Sequence, residues 1–448
     1  MNNKTQLDVA KLIDEQPISR FQVVVYLLCG LVALLDGADT QAIGVAAPVI
    51  AQELGLPVPQ LGPIFSAALF GAMLGALTFG PLADIFGRKR VLIASTVMFG
   101  IFTFTTALAN SFQTLIAYRF LAGLGLGGAT PCFIAMAAEF SPKRLRGTMA
   151  AALFAAFPLG AMLGAFFNAY IIAQFGWQTI FYIGGVLPMV VALALAIWLP
   201  ESLHFMLARG GAPDAVRAIL QRLAPGKVPD GVPLVSQEEK LPGVPVKHLF
   251  MEGRAIGTLL LWMPFIFGFG ALAIVTLWTP TLLREANISP AAGAVVLAFN
   301  GLGSFLGFAG AGKIMEKFGR GRVLAPAFVI GGLCVVGLGQ GASSIATAAV
   351  FMALVGFFVS IGIAGAIAQA ATVYPTAIRS TGIGWGIGSG RFGQSLSPLF
   401  AGMLLGWGWH TPQILLVVGC APIVAAVFVL LLEFHTRSAK MPAAESLR

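Results

Sequence analysis

The sequence predicts an all-α polytopic membrane protein, with twelve transmembrane helices in two pseudo-symmetric six-helix bundles. Three observations predict it. Of the 448 residues, 58% are hydrophobic and 10% charged, whereas a soluble chain carries roughly 25% charged residues. Apolar runs of helical length recur along the whole chain. Lysine and arginine gather in alternate gaps between those runs.

A span needs about 20 mostly apolar residues. Runs of that kind cover 21–48, 61–83, 91–109, 113–136, 148–174, 178–199, 255–283, 290–312, 323–341, 345–371, 381–404 and 412–433. They are continuous rather than alternating, as membrane helices require and barrel strands do not. The polar residues 1–20 lack the apolar core of a cleavable signal peptide, so the first span is expected to act as its own uncleaved signal. Six spans then form a first bundle over 21–199. The one long polar break, 200–254, is punctuated by proline and glycine and reads as a central loop. Inside it, "DAVRAILQRLA" (214–224) reads as a short amphipathic helix lying at the membrane surface. A second bundle over 255–433 and a polar tail over 434–448 follow.

Charge sets the orientation. With the N-terminus in the cytoplasm, 24 of the 27 lysines and arginines fall in cytoplasmic segments. Only Arg284 falls outside, and Arg119 and Arg391 fall within spans. By the positive-inside rule both termini and the central loop are cytoplasmic. One missed span would invert every later loop, so the same asymmetry supports the number of spans. The net charge of +9 is then a topological signal, and no nucleic-acid partner is expected. The partner is the lipid bilayer. Cys29, Cys132, Cys334 and Cys420 all lie in apolar segments and none is in a CxxC pair, which indicates neither a disulfide framework nor a zinc site. No metal or cofactor is expected.

The chain repeats itself. "GPLADIFGRKRVL" (80–92) aligns with "GKIMEKFGRGRVL" (312–324), each after the second span of its half. Pro142 and Arg146 in "SPKRLRG" have counterparts in Pro375 and Arg379 of "YPTAIRS", after the fourth span. Two halves in the same orientation are related by an axis along the membrane normal, an architecture that opens a central cavity alternately to each side.

On these residues the sequence resembles the major facilitator superfamily. Gly80, Asp84, Gly87, Arg88, Lys89 and Arg90 match its loop 2–3 motif, Gly-x-x-x-Asp-x-x-Gly-Arg-Lys-Arg. Within it, the chain is similar to the aromatic acid–proton symporters of the 4-hydroxybenzoate and benzoate type. "LDGADTQAIG" in the first span, "RFLAGLGLGGATP" (119–131), "LPESLHFML" (199–207) and "GRFGQSLSP" (390–398) carry that likeness. Cys132 departs from it, standing where a small polar residue often follows the fourth-span proline. The resemblance implies a monomeric transporter in a bacterial-type inner membrane, serving aromatic catabolism by symport of a small aromatic carboxylate with protons. A non-aromatic organic acid, muconate- or shikimate-like, or a sugar remains the alternative cargo. The fifth span, "FPLGAMLGAFF" (157–167), lacks the Gly-Pro-rich motif of drug–proton antiporters.

Two carboxylates inside an apolar span need a reason, since each costs at least ~2.5–3.5 kcal/mol at the bilayer centre. Asp36 and Asp39 are three residues apart and share a helix face. Counting the rise per residue brings Asp39 to the depth of Arg119. Burial raises a carboxylate pKa and a nearby cation lowers it, so a carboxylate between those influences can load and release a proton. The other reading is a fixed ion pair locking two helices. Either aspartate is a candidate for the proton. Arg391, near the midplane, presents the planar fork that matches a carboxylate and is the candidate substrate anchor. Arg119 is the second choice. A structural partner for Asp36 is the competing role for Arg391. Candidates for the walls around an aromatic ring are Phe265, Phe269, Phe299, Asn300, Gln369, Trp385, Phe392 and Gln394.

At the cytoplasmic end, Gly80, Asp84, Gly87, Arg88, Lys89 and Arg90 read as a gate. Glu139 with Arg146 reads as a second latch, and Glu316, Arg320 and Arg379 are the counterparts in the second half. An enzyme is not expected: Ser389 has no intramembrane histidine to activate it, and no histidine is assigned a role. Nothing in the polar segments resembles the output domain of a sensor.

Overall fold

In a computed structural model the described residues are 7–208, 213–228, 234–235, 246–284, 287–341, 344–375 and 378–438. Among them the chain forms twelve helices of 19 residues or more. In order these are α1 (Arg20–Glu53), α2 (Leu61–Phe86), α3 (Arg88–Thr106), α4 (Phe112–Glu139), α5 (Lys143–Phe175) and α6 (Trp177–Trp198). The second half has α7 (Ala255–Arg284), α8 (Pro290–Phe318), α9 (Arg320–Gly341), α10 (Ile345–Val373), α11 (Arg379–Gly406) and α12 (Thr411–Ser438). Ten are long and apolar enough to cross a membrane by length and composition alone. The other two are α3, which opens on Arg88, Lys89 and Arg90, and α11, diluted by glycine, serine and Arg391.

Helix ends are chemically marked. Ser19, Ser111 and Ser344 cap α1, α4 and α10, each accepting from the backbone N–H three residues on in a capping box. The glycine of each "FGR" repeat has positive φ, +100° at Gly87 and +83° at Gly319. Only glycine adopts this cheaply, so each copy ends one helix and turns directly into the next.

The packing has the repeat in it. α1 lies along α5, α2 along α4, α3 along α4 and α6. Adding six to each number gives the second half: α7 along α11, α8 along α10, α9 along α10 and α12. The halves meet through α2–α11, α5–α8 and α1–α7. The first two of these contacts exchange under the same shift of six, as a two-fold relation demands. Close approach relies on glycine: a Cβ on Gly123 or Gly127 of α4 would strike the backbone of Ala68 or Ala72 on α2.

One face of the molecule carries the Arg88–Arg90 and Lys143–Arg146 turns and the central segment; we call it the basic face. Contacts between the halves gather toward the opposite face. Phe65 meets Trp278 edge-on at 5.2 Å. Arg284 donates to the Pro48 carbonyl at 2.8 Å and to Gln52 Oε1 at 2.6 Å. On the basic face Phe86 and Phe318 end α2 and α8 in the open, each 56% exposed. Arg284→Ala is therefore expected to loosen the opposite face. With the native cysteines replaced and Ala68→Cys added on the cavity wall, a membrane-impermeant thiol reagent applied from that face should label faster. An unchanged rate would mean that apolar contacts alone hold it shut.

The amphipathic segment of the central loop corrects the expectation. It forms a helix over Pro213–Leu223, but its apolar face is not left for lipid. Val216, Leu220, Leu223, Ala224 and Val228 are buried in one cluster with Val9, Leu12 and Ile13 of a short N-terminal helix, Val9–Asp14, and with the first bundle. Protein burial outcompetes the interface because the N-terminal segment supplies matching apolar side chains. A two-residue parallel ladder, Leu7–Asp8 with Leu234–Val235, ties the same two segments together. These are the strand residues that the run pattern did not anticipate. Residues 1–6, 209–212, 229–233, 236–245 and 439–448, over which the expected tails and loop extend, lie outside the described residues.

Candidate functional site

A central cavity of about 200 Å³ lies between the halves. Its walls come from α1, α2, α4 and α5 and from their counterparts α7, α8, α10 and α11. Phe65, Phe133, Phe154, Phe157, Phe269 and Phe308 make it largely apolar, and its charged residues are Asp36, Asp39, Arg119 and Arg391.

The structure brings Asp39 and Arg119 together. Arg119 Nη2 donates to Asp39 Oδ2 at 2.6 Å and Nη1 to Oδ1 at 3.2 Å. Thr103 on α3 donates to the same Oδ1 at 3.1 Å. The arginine is 2% exposed and stands 5.8 Å from the centre of the Phe181 ring. A fork-on-fork pair with a third donor is the strong form of the interaction. It joins α1, α3 and α4.

Asp36 is placed differently. Its backbone carbonyl accepts from Thr40, while its side chain faces the cavity and has no ion partner within 4 Å among the described residues. Arg391 lines the same cavity and likewise has no ion partner within 4 Å among the described residues.

Of the substrate-wall candidates, Arg391, Arg119, Phe269, Asn300 and Gln394 line the cavity. The other five sit elsewhere. Phe265 is fully buried and stacked near Phe269 at 6.5 Å, behind the wall. Phe299 turns to Phe166 across the α5–α8 contact. Gln369 is buried in α10 but outside the lining. Trp385, 41% exposed, stacks on Trp262, and Phe392 is 49% exposed. The helices are apolar on every side, so the sequence carries no signal of which face turns inward.

On the basic face, Arg88 donates to Glu139 at 3.0 Å. Glu139, expected beside Arg146, also accepts from Ser202 Oγ at 2.8 Å and from the His204 backbone N–H at 2.6 Å. Glu201 accepts from the Lys89 backbone N–H at 3.0 Å, and Lys89 Nζ donates to the Ala196 carbonyl. The loop motif, the end of α4 and the segment after α6 thus form one clasp, all within the first half. Gly87 sits at its centre, where a Cβ would come within 2.6 Å of the Glu201 carboxylate. Arg146 instead donates to the Ser141 carbonyl at 3.3 Å. Asp84 is 72% exposed and 3.7 Å from Arg88, an arrangement that contributes about 0–1 kcal/mol. Gly80 packs by Pro131, Arg90, Glu316 and Arg320 are exposed, and Arg379 opens α11.

Three cavity residues were missed in the sequence. Gln41 on α1, Ser304 on α8 and Ser360 on α10 all line the cavity and are 2%, 7% and 0% exposed. The signal available was an uncharged polar residue inside an apolar span, as Gln41, Ser304 and Ser360 each are.

Helices in two copies around a charged, mostly apolar central cavity define a secondary transporter, not an enzyme. The chain belongs to the Major Facilitator Superfamily, whose profile matches residues 29–346 and 284–446. It is 37% identical over 411 residues to the 4-hydroxybenzoate transporter PcaK of Pseudomonas putida, covering 91% of this chain and 92% of that one. It is 34% identical to the gallate transporter of Pseudomonas putida, covering 98% and 97%. The benzoate transport protein of Acinetobacter baylyi is 31% identical, covering 89% and 87%. Among solved structures, the D-xylose-proton symporter superposes with a TM-score of 0.71 at 18% identity, covering 91% of this chain and 97% of that one. That likeness is one of fold.

Proposed function

We propose that this transporter imports a benzoate-like aromatic carboxylate with protons by alternating access, across a bacterial inner membrane and as a monomer. The basic face, both termini and the central loop are cytoplasmic in this reading, and the bundles over 21–199 and 255–433 are the units that rock. The observation that carries it is Arg391 on the wall of a largely apolar cavity, with no ion partner within 4 Å among the described residues. A planar fork left open toward an apolar space suits a planar carboxylate. The names of the relatives support an aromatic acid as the cargo. The closed opposite face and exposed Phe86 and Phe318 support an inward-facing state.

Asp36, Asp39 and Arg119 are the proton-coupling groups. Arrival of the substrate anion at Arg391 weakens that residue's hold on the charge of Asp36, and a carboxylate that loses its counter-charge in an apolar cavity takes up a proton more readily. The Asp39–Arg119 pair opens if Asp39 is protonated and closes when it is ionised. With one proton the cargo is neutral; a second lets the membrane potential drive uptake at about 2.3 kcal/mol per charge per 100 mV. The clasp of Arg88 with Glu139 holds the cytoplasmic end of the first bundle rigid during rocking, with Glu316, Arg320 and Arg379 free to engage when that side closes.

The test is uptake of labelled benzoates, muconate, shikimate and xylose into proteoliposomes, with and without an inward proton gradient. Accumulation of the aromatic acids above the rest is expected. If no carboxylate accumulates, the reading fails; accumulation of xylose alone would make it a sugar porter.

A further inference from the structure

Arg391 accounts for a carboxylate, but the cavity holds hydrogen-bonding capacity that a carboxylate does not use. Gln41 is 2% exposed on the cavity wall, and its side-chain amide makes no hydrogen bond among the described residues; Oε1 is buried outright. Ser360 is fully buried on the wall, and its Oγ is likewise buried without a partner among the described residues. A buried polar group is ordinarily hydrogen-bonded, and leaving it unpaired is costly. Asn300 and Thr40, on the same walls, show the usual pattern, bonding the Met352 and Asp36 carbonyls. Among the uncharged groups of the lining, Gln41 and Ser360 are therefore exceptions; the other unpaired buried atom there is Arg119 Nε, whose terminal nitrogens are bound to Asp39.

Their placement adds the second argument. Ser360 belongs to the α8–α10 pair: a Cβ on Gly307 of α8 would stand 3.1 Å from its own Cβ, and Ser304 lies one turn along α8 from Gly307. Arg391 belongs to the α7–α11 pair and Gln41 to α1. The anion anchor and the unpaired groups thus stand on different walls, with Phe269 and Phe308 among the apolar residues of the lining. A ligand that fits this pattern has an anionic group, an apolar ring, and a polar substituent on the ring away from the anionic group.

We propose that Gln41 and Ser360, with Ser304 beside the latter, read a ring hydroxyl and select hydroxylated aromatic acids over unsubstituted ones. This rests on the reading of the cavity as an aromatic-carboxylate site. A phenolic O–H donates to the Gln41 or Ser360 oxygen and accepts in return from the amide N–H₂ or the serine O–H. Benzoate leaves those groups as they are. A site built to bond a hydroxyl discriminates strongly against the analogue that lacks it.

The test is competitive proteoliposome uptake of labelled benzoate, 3-hydroxybenzoate and 4-hydroxybenzoate by the full chain and by Gln41→Met and Ser360→Ala. Both substitutions change polarity far more than volume, and the ratio of acids within one preparation is independent of how much protein folds. The native chain is expected to prefer at least one hydroxylated acid by about tenfold or more, and each variant to bring that ratio toward one. Equal uptake of the three acids by the native chain, or a native ratio kept in both variants, overturns the assignment while leaving aromatic transport standing. Uptake of none of them by the native chain overturns the aromatic reading itself, and this one with it.

Discussion

Asp39→Asn is expected to abolish accumulation driven by a proton gradient while leaving substrate counterflow, which needs no net proton movement. The native carboxylate takes two bonds from Arg119 and one from Thr103. Asparagine occupies the same space but neither binds nor releases a proton. The substitution also strands Arg119, 2% exposed, and breaking a buried pair from one side costs about 3–5 kcal/mol. Two causes of failure therefore have to be separated. The double variant Asp39→Asn/Arg119→Gln removes both charges and with them the stranded cation. If the pair is only a lock between α1 and α4, the double variant recovers thermal stability in detergent and gradient-driven accumulation together. If the pair is the proton switch, stability and counterflow return but accumulation does not. Native accumulation in the single variant would move the proton to Asp36.

The meeting of Asp39 with Arg119 was legible because depth in a membrane can be counted: a fixed rise per residue, from two ends set by charge, brings both to one level. The clasp of Glu139 was not legible in the same way. Arg88 and Glu139 are 51 residues apart, and their contact depends on the turn at Gly87 and on a segment, Glu201–His204, that lies outside any span. Sequence placed Glu139 with its nearer neighbour Arg146 for want of that geometry. Span ends were read short for a related reason. Hydropathy marks where the apolar run stops, whereas α1 runs on past Pro48 to Glu53 because its backbone hydrogen bonds continue, with Ile50 and Ala51 buried against the protein. Phe299, Trp385 and Phe392 mark the harder limit. In water a helix shows its buried face by contrast with a polar one, but in lipid both faces are apolar and the contrast is gone. Gln41 and Ser360 escaped notice because one uncharged polar residue in a span looks harmless until its lack of a partner is seen.

Arg391→Gln and Asp36→Asn are expected to move substrate affinity in opposite directions. Glutamine in place of Arg391 removes the charge and the fork, a loss of ~2–3 kcal/mol for a charge-assisted pair, on the order of 100-fold in Kd for a benzoate-like anion. Arg391→Lys keeps the charge without the bidentate geometry and is expected to fall between. Asp36 lines the same cavity as that guanidinium, so in the proposed mechanism it competes with the incoming carboxylate for one cation. Asp36→Asn removes the competitor, and the anion is expected to bind more tightly in the absence of a gradient, even as proton-driven accumulation is lost. Binding of the uncharged analogue benzamide serves as the control, and neither substitution should change it by more than a small factor, because it draws on the apolar walls. Equilibrium binding of benzoate and benzamide to the purified variants, measured beside their thermal stability, decides the matter. A purely structural Asp36–Arg391 contact makes a different set of results: both variants lose stability, both bind the two ligands more weakly, and the signs agree. Opposite signs for the anion, with benzamide unmoved, are what competition for a single arginine requires.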